Sequence, residues 1–249
     1  GGGYCVLSEQ GIANGYLTSF FELIQLDANW NVVTQVRIEY EDQEVYNPGL
    51  SKDQLWITPS GKVVAHIADY FSSVLVTYDP NTGQQTALPT VNNNSGLSFG
   101  VLGERPGGGY ALIDFYDFGR AGTLRYLNEE FEEVSNQELN LTGLSSNPAN
   151  SFLYSRDLVI DTSGIFYLLL DEDYSGSYLY KFNEAGDLLD ESFLIDSHFN
   201  SLVQLDDGDF LLTGSSVPKI FPGQPNANSE IIQTTMDDGL TTRSIRSFG

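Results

Sequence analysis

Short apolar runs that end in a polar turn recur along the chain. They are Phe21 to Leu26 before Asp27-Ala28-Asn29, Val74 to Tyr78 before Asp79-Pro80-Asn81, Thr123 to Leu127 before Asn128-Glu129-Glu130, and Tyr178 to Phe182 before Asn183-Glu184-Ala185-Gly186. A weaker copy runs from Ile231 to Asp237-Asp238-Gly239. With Asp27, Asp79, Asn128, Asn183 and Met236 as equivalent points, the steps are 52, 49, 55 and 53 residues. A second marker lies upstream of the later turns, a glycine turn leading into an apolar strand: Pro59-Ser60-Gly61, Gly107-Gly108-Gly109, Thr162-Ser163-Gly164 and Asp207-Gly208-Asp209. Two independent markers in constant order define a repeat of a length typical of propeller blades or solenoid units.

Each repeat reads as strand, Gly turn, strand, variable loop, strand, Asp or Asn turn, strand. β-branched and aromatic residues fill the strands and turn formers separate them. No amphipathic helix is legible. Four short antiparallel strands per unit predict an all-β β-propeller of about five recognisable four-stranded blades, with repeats near 1–47, 48–92, 93–144, 145–197 and 198–249 forming one domain. A β-sandwich is the competing architecture, and it rarely repeats so regularly. Gly1-Gly2-Gly3-Tyr4-Cys5-Val6-Leu7 matches Gly107-Gly108-Gly109-Tyr110-Ala111-Leu112-Ile113, so the first blade is expected to lack its opening strand and the sequence to be a fragment of a longer chain.

Composition narrows the function classes. The 249 residues carry 34 acidic side chains against 11 Lys plus Arg, a formal charge of −23 that repels nucleic acid and anionic membranes. The lone Cys5, read as a small buried hydrophobe, excludes an internal disulfide, and with only His66 and His198 beside it a Cys/His metal cluster is excluded too. A metal site would need oxygen ligands, which leaves Ca²⁺ as the conceivable ion; no cofactor is expected. No apolar run is long enough to predict a transmembrane segment.

The turn of an apolar residue, Asp or Asn, two residues and Gly, as in Phe182-Asn183-Glu184-Ala185-Gly186 followed by Leu188-Leu189, resembles the degenerate repeats of secreted and cell-surface bacterial β-propeller proteins. The match departs from that pattern at Trp30, Glu132, Thr235 and Met236, and neither the Trp-Asp dipeptide of WD40 blades nor a kelch signature is present. The resemblance implies a fold and an extracellular or cell-surface location. It implies no activity, because propellers host enzymes, lectins, adhesins and scaffolds alike.

Candidate chemistry lies after the second strand of three consecutive repeats, where acids stand beside aromatics: Asp69-Tyr70-Phe71, Asp114-Phe115-Tyr116-Asp117-Phe118 and Asp171-Glu172-Asp173-Tyr174. Asp69, Asp117 and Asp173 fall 8, 8 and 9 residues after Gly61, Gly109 and Gly164. Loops in equivalent places of a ring share one face. Asp69, Tyr70, Asp117, Phe118, Asp173 and Tyr174 are therefore the predicted ligand-binding residues, with rings to stack on sugars and carboxylates to accept from hydroxyls. The competing reading is solvated hairpin loops.

For glycoside cleavage by two carboxylates, Asp157 and Asp196 near blade junctions are the candidates. His198 beside Asp196 suggests a base and its orienter, but no Gly-x-Ser-x-Gly elbow accompanies it, which favours an ordinary surface or core histidine. Asp206-Asp207-Gly208-Asp209 lacks the EF-hand spacing and reads as a β-turn. Glycosylation patterns occur at Asn93-Asn94-Ser95 and Asn140-Leu141-Thr142, and the stretch from Val217 to Ser229 reads as a long loop. The expectation is a non-catalytic recognition or assembly module of an exported protein, binding a protein or a glycan through one propeller face. A carbohydrate-active enzyme and a structural spacer in a larger surface complex are the alternatives.

Overall fold

The computed structural model describes residues 4–10, 20–38, 54–58, 60–68, 73–89, 99–116, 121–140, 153–172, 176–195, 197–216 and 230–248. All regular elements among them are strands, and no helix of the described residues is long and apolar enough to cross a membrane. The strands fall into two compact units, residues 1–98 and 99–249.

The first unit holds a three-stranded antiparallel sheet, β1 (Tyr4–Gln10), β2 (Phe20–Leu26) and β3 (Val32–Ile38), followed by a four-stranded blade, β4 (Gln54–Ile57), β5 (Val63–Ala68), β6 (Ser73–Tyr78) and β7 (Gln85–Pro89). Leu23 of the sheet packs with Val63, Ala65, Val76 and Tyr78 of the blade. The second unit holds three four-stranded blades. They are β8 (Phe99–Glu104), β9 (Tyr110–Tyr116), β10 (Ala121–Leu127) and β11 (Glu133–Glu138); β12 (Leu153–Ile160), β13 (Phe166–Glu172), β14 (Gly176–Phe182) and β15 (Leu188–Ile195); and β16 (Ser197–Gln204), β17 (Phe210–Ser216), β18 (Ile231–Met236) and β19 (Thr242–Phe248). The strand content and the up-and-down order within each sheet are those of propeller blades. There are four complete blades, and the first sheet has three strands among the described residues.

Strand composition follows position. The third strand β14 is buried at nearly every residue, and its sequence is correspondingly rich in aromatics. The outermost strands β11 and β19 are exposed along most of their length and read as polar or mixed. In β13 the side chains alternate between two faces, with Phe166, Leu168 and Leu170 on one and Tyr167, Leu169 and Asp171 on the other. Tyr167 and Leu169 join Leu179 in a core with Phe199, Leu202, Phe210, Leu212, Ile232 and Met236 of the next blade. The Tyr167 and Phe210 rings meet at 4.2 Å. Full burial of such side chains stabilises by about 1.5–3 kcal/mol each, which holds the joint between the last two blades. The first strands β8, β12 and β16 run beside one another, with β12 between the other two.

The turns correct three details of the repeat. In the fifth copy the turn acid is Asp237, not Met236. Asp237 exchanges backbone bonds with Leu240 and Thr241 as Asp27 does with Trp30 and Asn31, whereas Met236 is the last residue of β18. The side-chain oxygens of Asp27, Asn128, Asn183 and Asp237 each accept an amide proton from four residues on, which explains the Asp or Asn requirement. Second, the left-handed position of this turn falls on Trp30, Phe131, Gly186 and Leu240, so the residue matching Trp30 is Phe131 and not Glu132. Third, Gly108 and not Gly109 is the equivalent of Gly61 and Gly164, since each of these amides donates to the carbonyl three residues back.

Candidate functional site

Tyr167 and Leu169 are the apolar part of the face that β13 turns to the next blade, and Asp171 is its polar end. Asp171 is 3% exposed, a location a carboxylate occupies only when its oxygens are matched. One oxygen, Oδ2, accepts from the Arg156 guanidinium of β12 at 2.8 Å. The other, Oδ1, lies 3.0 Å from the Ser177 hydroxyl of β14 and 2.7 Å from Nδ1 of His198 on β16. Ser177 also lies 3.1 Å from the Ser197 carbonyl and accepts the Phe199 amide at 2.9 Å. Four strands from two blades therefore meet at one buried carboxylate.

Two β-bulges shape this cluster. β12 carries one at Arg156, between Ser155 and Asp157, and β16 carries one at Asn200, between Phe199 and Ser201. A bulge re-aims the side chain it carries, and here the guanidinium of Arg156 meets Asp171 of the neighbouring strand. Asp157 follows the bulge and spends both oxygens on backbone amides: Oδ1 accepts from Leu158 and Oδ2 from Leu202 of β16, both at 3.0 Å. Gly214 lies opposite Phe199, and a Cβ there would collide with the His198 carbonyl and come within 2.6 Å of the Phe199 Cα. Only glycine permits this approach of β17 to the bulged strand.

A carboxylate that accepts from Arg156 and Ser177 has no proton to give, so the His198 Nδ1 carries the hydrogen between them. The ring is thereby oriented through Nδ1, and Nε2 stands on its far side, an acceptor in the neutral ring and a donor in the imidazolium. The side chains of His198 and Arg156 are 25% and 24% exposed, so the cluster opens to solvent at its edge while Asp171 stays inside.

This arrangement is not part of the blade framework. By strand register, Phe115, Gly122 and Tyr154 hold the places at the preceding joint that Asp171, Ser177 and His198 hold here. Asp114, in the acid-aromatic segment of β9, projects from the opposite face to that of Asp171. It is fully buried beside Arg125, whose Nη1 is 3.8 Å away and which also binds Glu133. The hydrogen bond from Asn136, the largest cause, holds the Glu133 carboxyl below its ordinary range against the opposing effect of burial, and Arg125 adds to the lowering.

The sequence-predicted residues fare unevenly. Asp69, Tyr70, Asp117, Phe118, Asp173, Tyr174 and Asp196 lie outside the described residues, as do Asn93 to Ser95 and residues 217–229. Asp114 and Asp171, from the same segments, are strand residues with buried side chains and not loop acids. Asp157 does sit at a blade junction. The described partner of His198 is Asp171, 27 residues upstream. Sequence reasoning missed Arg156, Asp171 and Ser177 as a set because they lie on three different strands and are brought together by strand pairing and the bulge at Arg156, not by spacing along the chain. The Asp206 to Asp209 segment forms a turn in which Asp207 accepts the Asp209 amide, while Asp209 pairs with Arg243 at 2.8 Å. Asn140 is exposed and 3.4 Å from Asp187. No group of three or more His, Cys, Asp or Glu among the described residues is placed to hold a metal ion.

No family model matches the chain, and no curated protein does. Solved structures do resemble it. A quinonprotein alcohol dehydrogenase-like protein from Bacteroides thetaiotaomicron aligns over 98% of the chain with a TM-score of 0.56 and 13% identity. The Dos1 propeller aligns over 92% with a TM-score of 0.52 and 13% identity. An engineered GH43 glycoside hydrolase with endo-xylanase and exo-arabinofuranosidase activity aligns over 97% with a TM-score of 0.52 and 10% identity. The chain covers 55%, 56% and 50% of those proteins respectively, about half of each. At these identities the likeness is one of fold alone, and the fold is a β-propeller.

Proposed function

We propose that this chain is a non-catalytic recognition or assembly module of an exported, cell-surface protein, and that it binds a protein or a glycan through one propeller face. The observation that carries the reading is the commitment of the junction carboxylates. Both oxygens of Asp157 accept backbone amides, and both oxygens of Asp171 are matched by Arg156, Ser177 and His198. Cleavage by two acids needs a pair about 5–10 Å apart with oxygens free for a proton or a water, and these oxygens are occupied. The acidic surface and the acid-aromatic segments support display to an extracellular partner. A glycan array together with affinity capture from a cell-envelope extract tests it. Retention of one class of partner is expected, and two empty screens would reject the reading.

The second reading, a carbohydrate-active enzyme using Asp157 and Asp196, draws on the position of Asp157 at a blade junction. Unchanged hydrolysis by an Asp157→Asn variant would remove that residue from it. A spacer within a larger surface complex is the reading left if neither ligand nor activity is found.

A further inference from the structure

Among the described residues, the polar cluster around Asp171 is both built and partly open. We propose that its solvent edge, His198 Nε2 together with the Arg156 guanidinium, is a subsite for a neutral polyhydroxylated ligand, a sugar ring with neighbouring hydroxyls. The proposal rests on the recognition reading above and gives it a location and a ligand chemistry.

Three observations lead there. First, the edge offers two polar groups, the imidazole of His198 and the guanidinium of Arg156, each oriented by one oxygen of the same carboxylate. Asp171 orients His198 through Nδ1 and Arg156 through Nη2, so Nε2 meets one hydroxyl, as acceptor or as donor, while the guanidinium donates to the oxygen of another. Vicinal hydroxyls, each both donor and acceptor, complement such a pair. Second, the charges of Arg156 and Asp171 cancel locally and the chain carries a net −23, so an anion gains little here and a neutral ligand loses nothing. Third, the cluster does not recur at the preceding joint. The preceding joint has Phe115, Gly122 and Tyr154 in the corresponding places, so blade packing does not require a buried Asp-His-Ser set. A buried carboxylate with a matched shell is costly to assemble and adds no evident stability over an apolar joint.

The test titrates the full 249-residue chain with a panel of methyl glycosides and matched oligosaccharides, followed by calorimetry and by the 15N resonances of the His198 imidazole. The expected result is saturable binding of at least one glycoside with a shift of Nε2. The His198→Asn variant keeps an N–H for Asp171 but has no group at the Nε2 position, so it should weaken binding about tenfold or more, the loss of one ligand hydrogen bond. Arg156→Lys should weaken it as well, with both variants keeping a single cooperative urea transition. Glycan binding that survives both substitutions would overturn the subsite and leave the recognition reading intact. An Nε2 shift with inorganic phosphate and none with any glycoside would overturn it in favour of an anion site. Absence of glycoside binding alongside capture of a protein partner would overturn it too, again without touching recognition.

Discussion

Asp157 on β12 reaches across the last blade joint to the amide of Leu202 on β16, 3.0 Å away, and in doing so ties together two strands that each carry a bulge. Leu202 is a buried member of the core shared by these blades, so its amide has no access to water.

Replacing Asp157 by Ala would leave the Leu202 amide without its acceptor in a desolvated place. We expect a loss of about 2–3 kcal/mol from the charge-assisted bonds and the stranded donor. Asn at the same position retains one acceptor and should cost about half as much. Urea unfolding monitored by far-ultraviolet circular dichroism, at unchanged slope, measures both.

Gly214→Ala is predicted to be as damaging as a core truncation, about 3 kcal/mol, although it adds a single methyl group. The new Cβ would meet the backbone of His198 and Phe199, and neither can give way without moving the bulge that positions His198. Gly83→Ala is the control. Its φ of +72° carries the left-handed penalty, but nothing lies within 4 Å, so it should cost about 1 kcal/mol. A chemical-shift change at the His198 imidazole in the first variant and none in the second would confirm that the damage runs through the site.

The contrast between these glycines marks what could be read from the chain. Repeat length, strand order and the Asp or Asn turn were legible because each depends on local chemistry: an oxygen accepting an amide four residues on needs only Asp27 or Asn128 in place. The site was not legible, because it depends on register between strands. His198 sits beside Asp196 in sequence, yet its bond is to Asp171, and this follows from a bulge at Asn200 and an alternation phase in β13 that no residue count from Gly164 encodes. The non-recurrence of Asp171, Ser177 and His198 becomes visible only once Phe115, Gly122 and Tyr154 are aligned by pairing.

Alkaline stability should fall in a defined window. Burial pushes the Tyr167 phenol up from 10.0 to about 12, with Asp161 and Asp238 adding to the effect. The unfolded chain releases this proton near its ordinary value while the folded chain retains it. The contribution is therefore complete below pH 10 and is lost as the pH rises through about 12. Tyr167→Phe should flatten this limb of the stability profile, as followed by near-ultraviolet phenolate absorbance against urea midpoints. On the acid side the sign reverses. Asp27 is held below 3.8 chiefly by the Asn31 side-chain bond, and Asp79 chiefly by the Asn81 amide, so their contributions stand above 3.8 and fade as the pH drops below it.

Phe131 separates backbone strain from packing. Its φ of 66° places a large side chain in the left-handed region, where the equivalent residue of the next blade is Gly186. The strain is tolerated because the ring is buried and stacks on Tyr110 with centroids 4.1 Å apart. Removing the ring as Phe131→Ala loses the packing and keeps the strain, for an expected cost of about 3–5 kcal/mol. Phe131→Gly loses the same packing but relieves about 1–2 kcal/mol of left-handed penalty, against which the freer unfolded chain takes back about 0.4–1 kcal/mol. The glycine variant should therefore be the more stable of the two, the reverse of the usual order for Ala and Gly. Equal urea midpoints would show that the Phe131 backbone carries no strain worth relieving, and a lower midpoint for Phe131→Gly would show that unfolded-state entropy outweighs it.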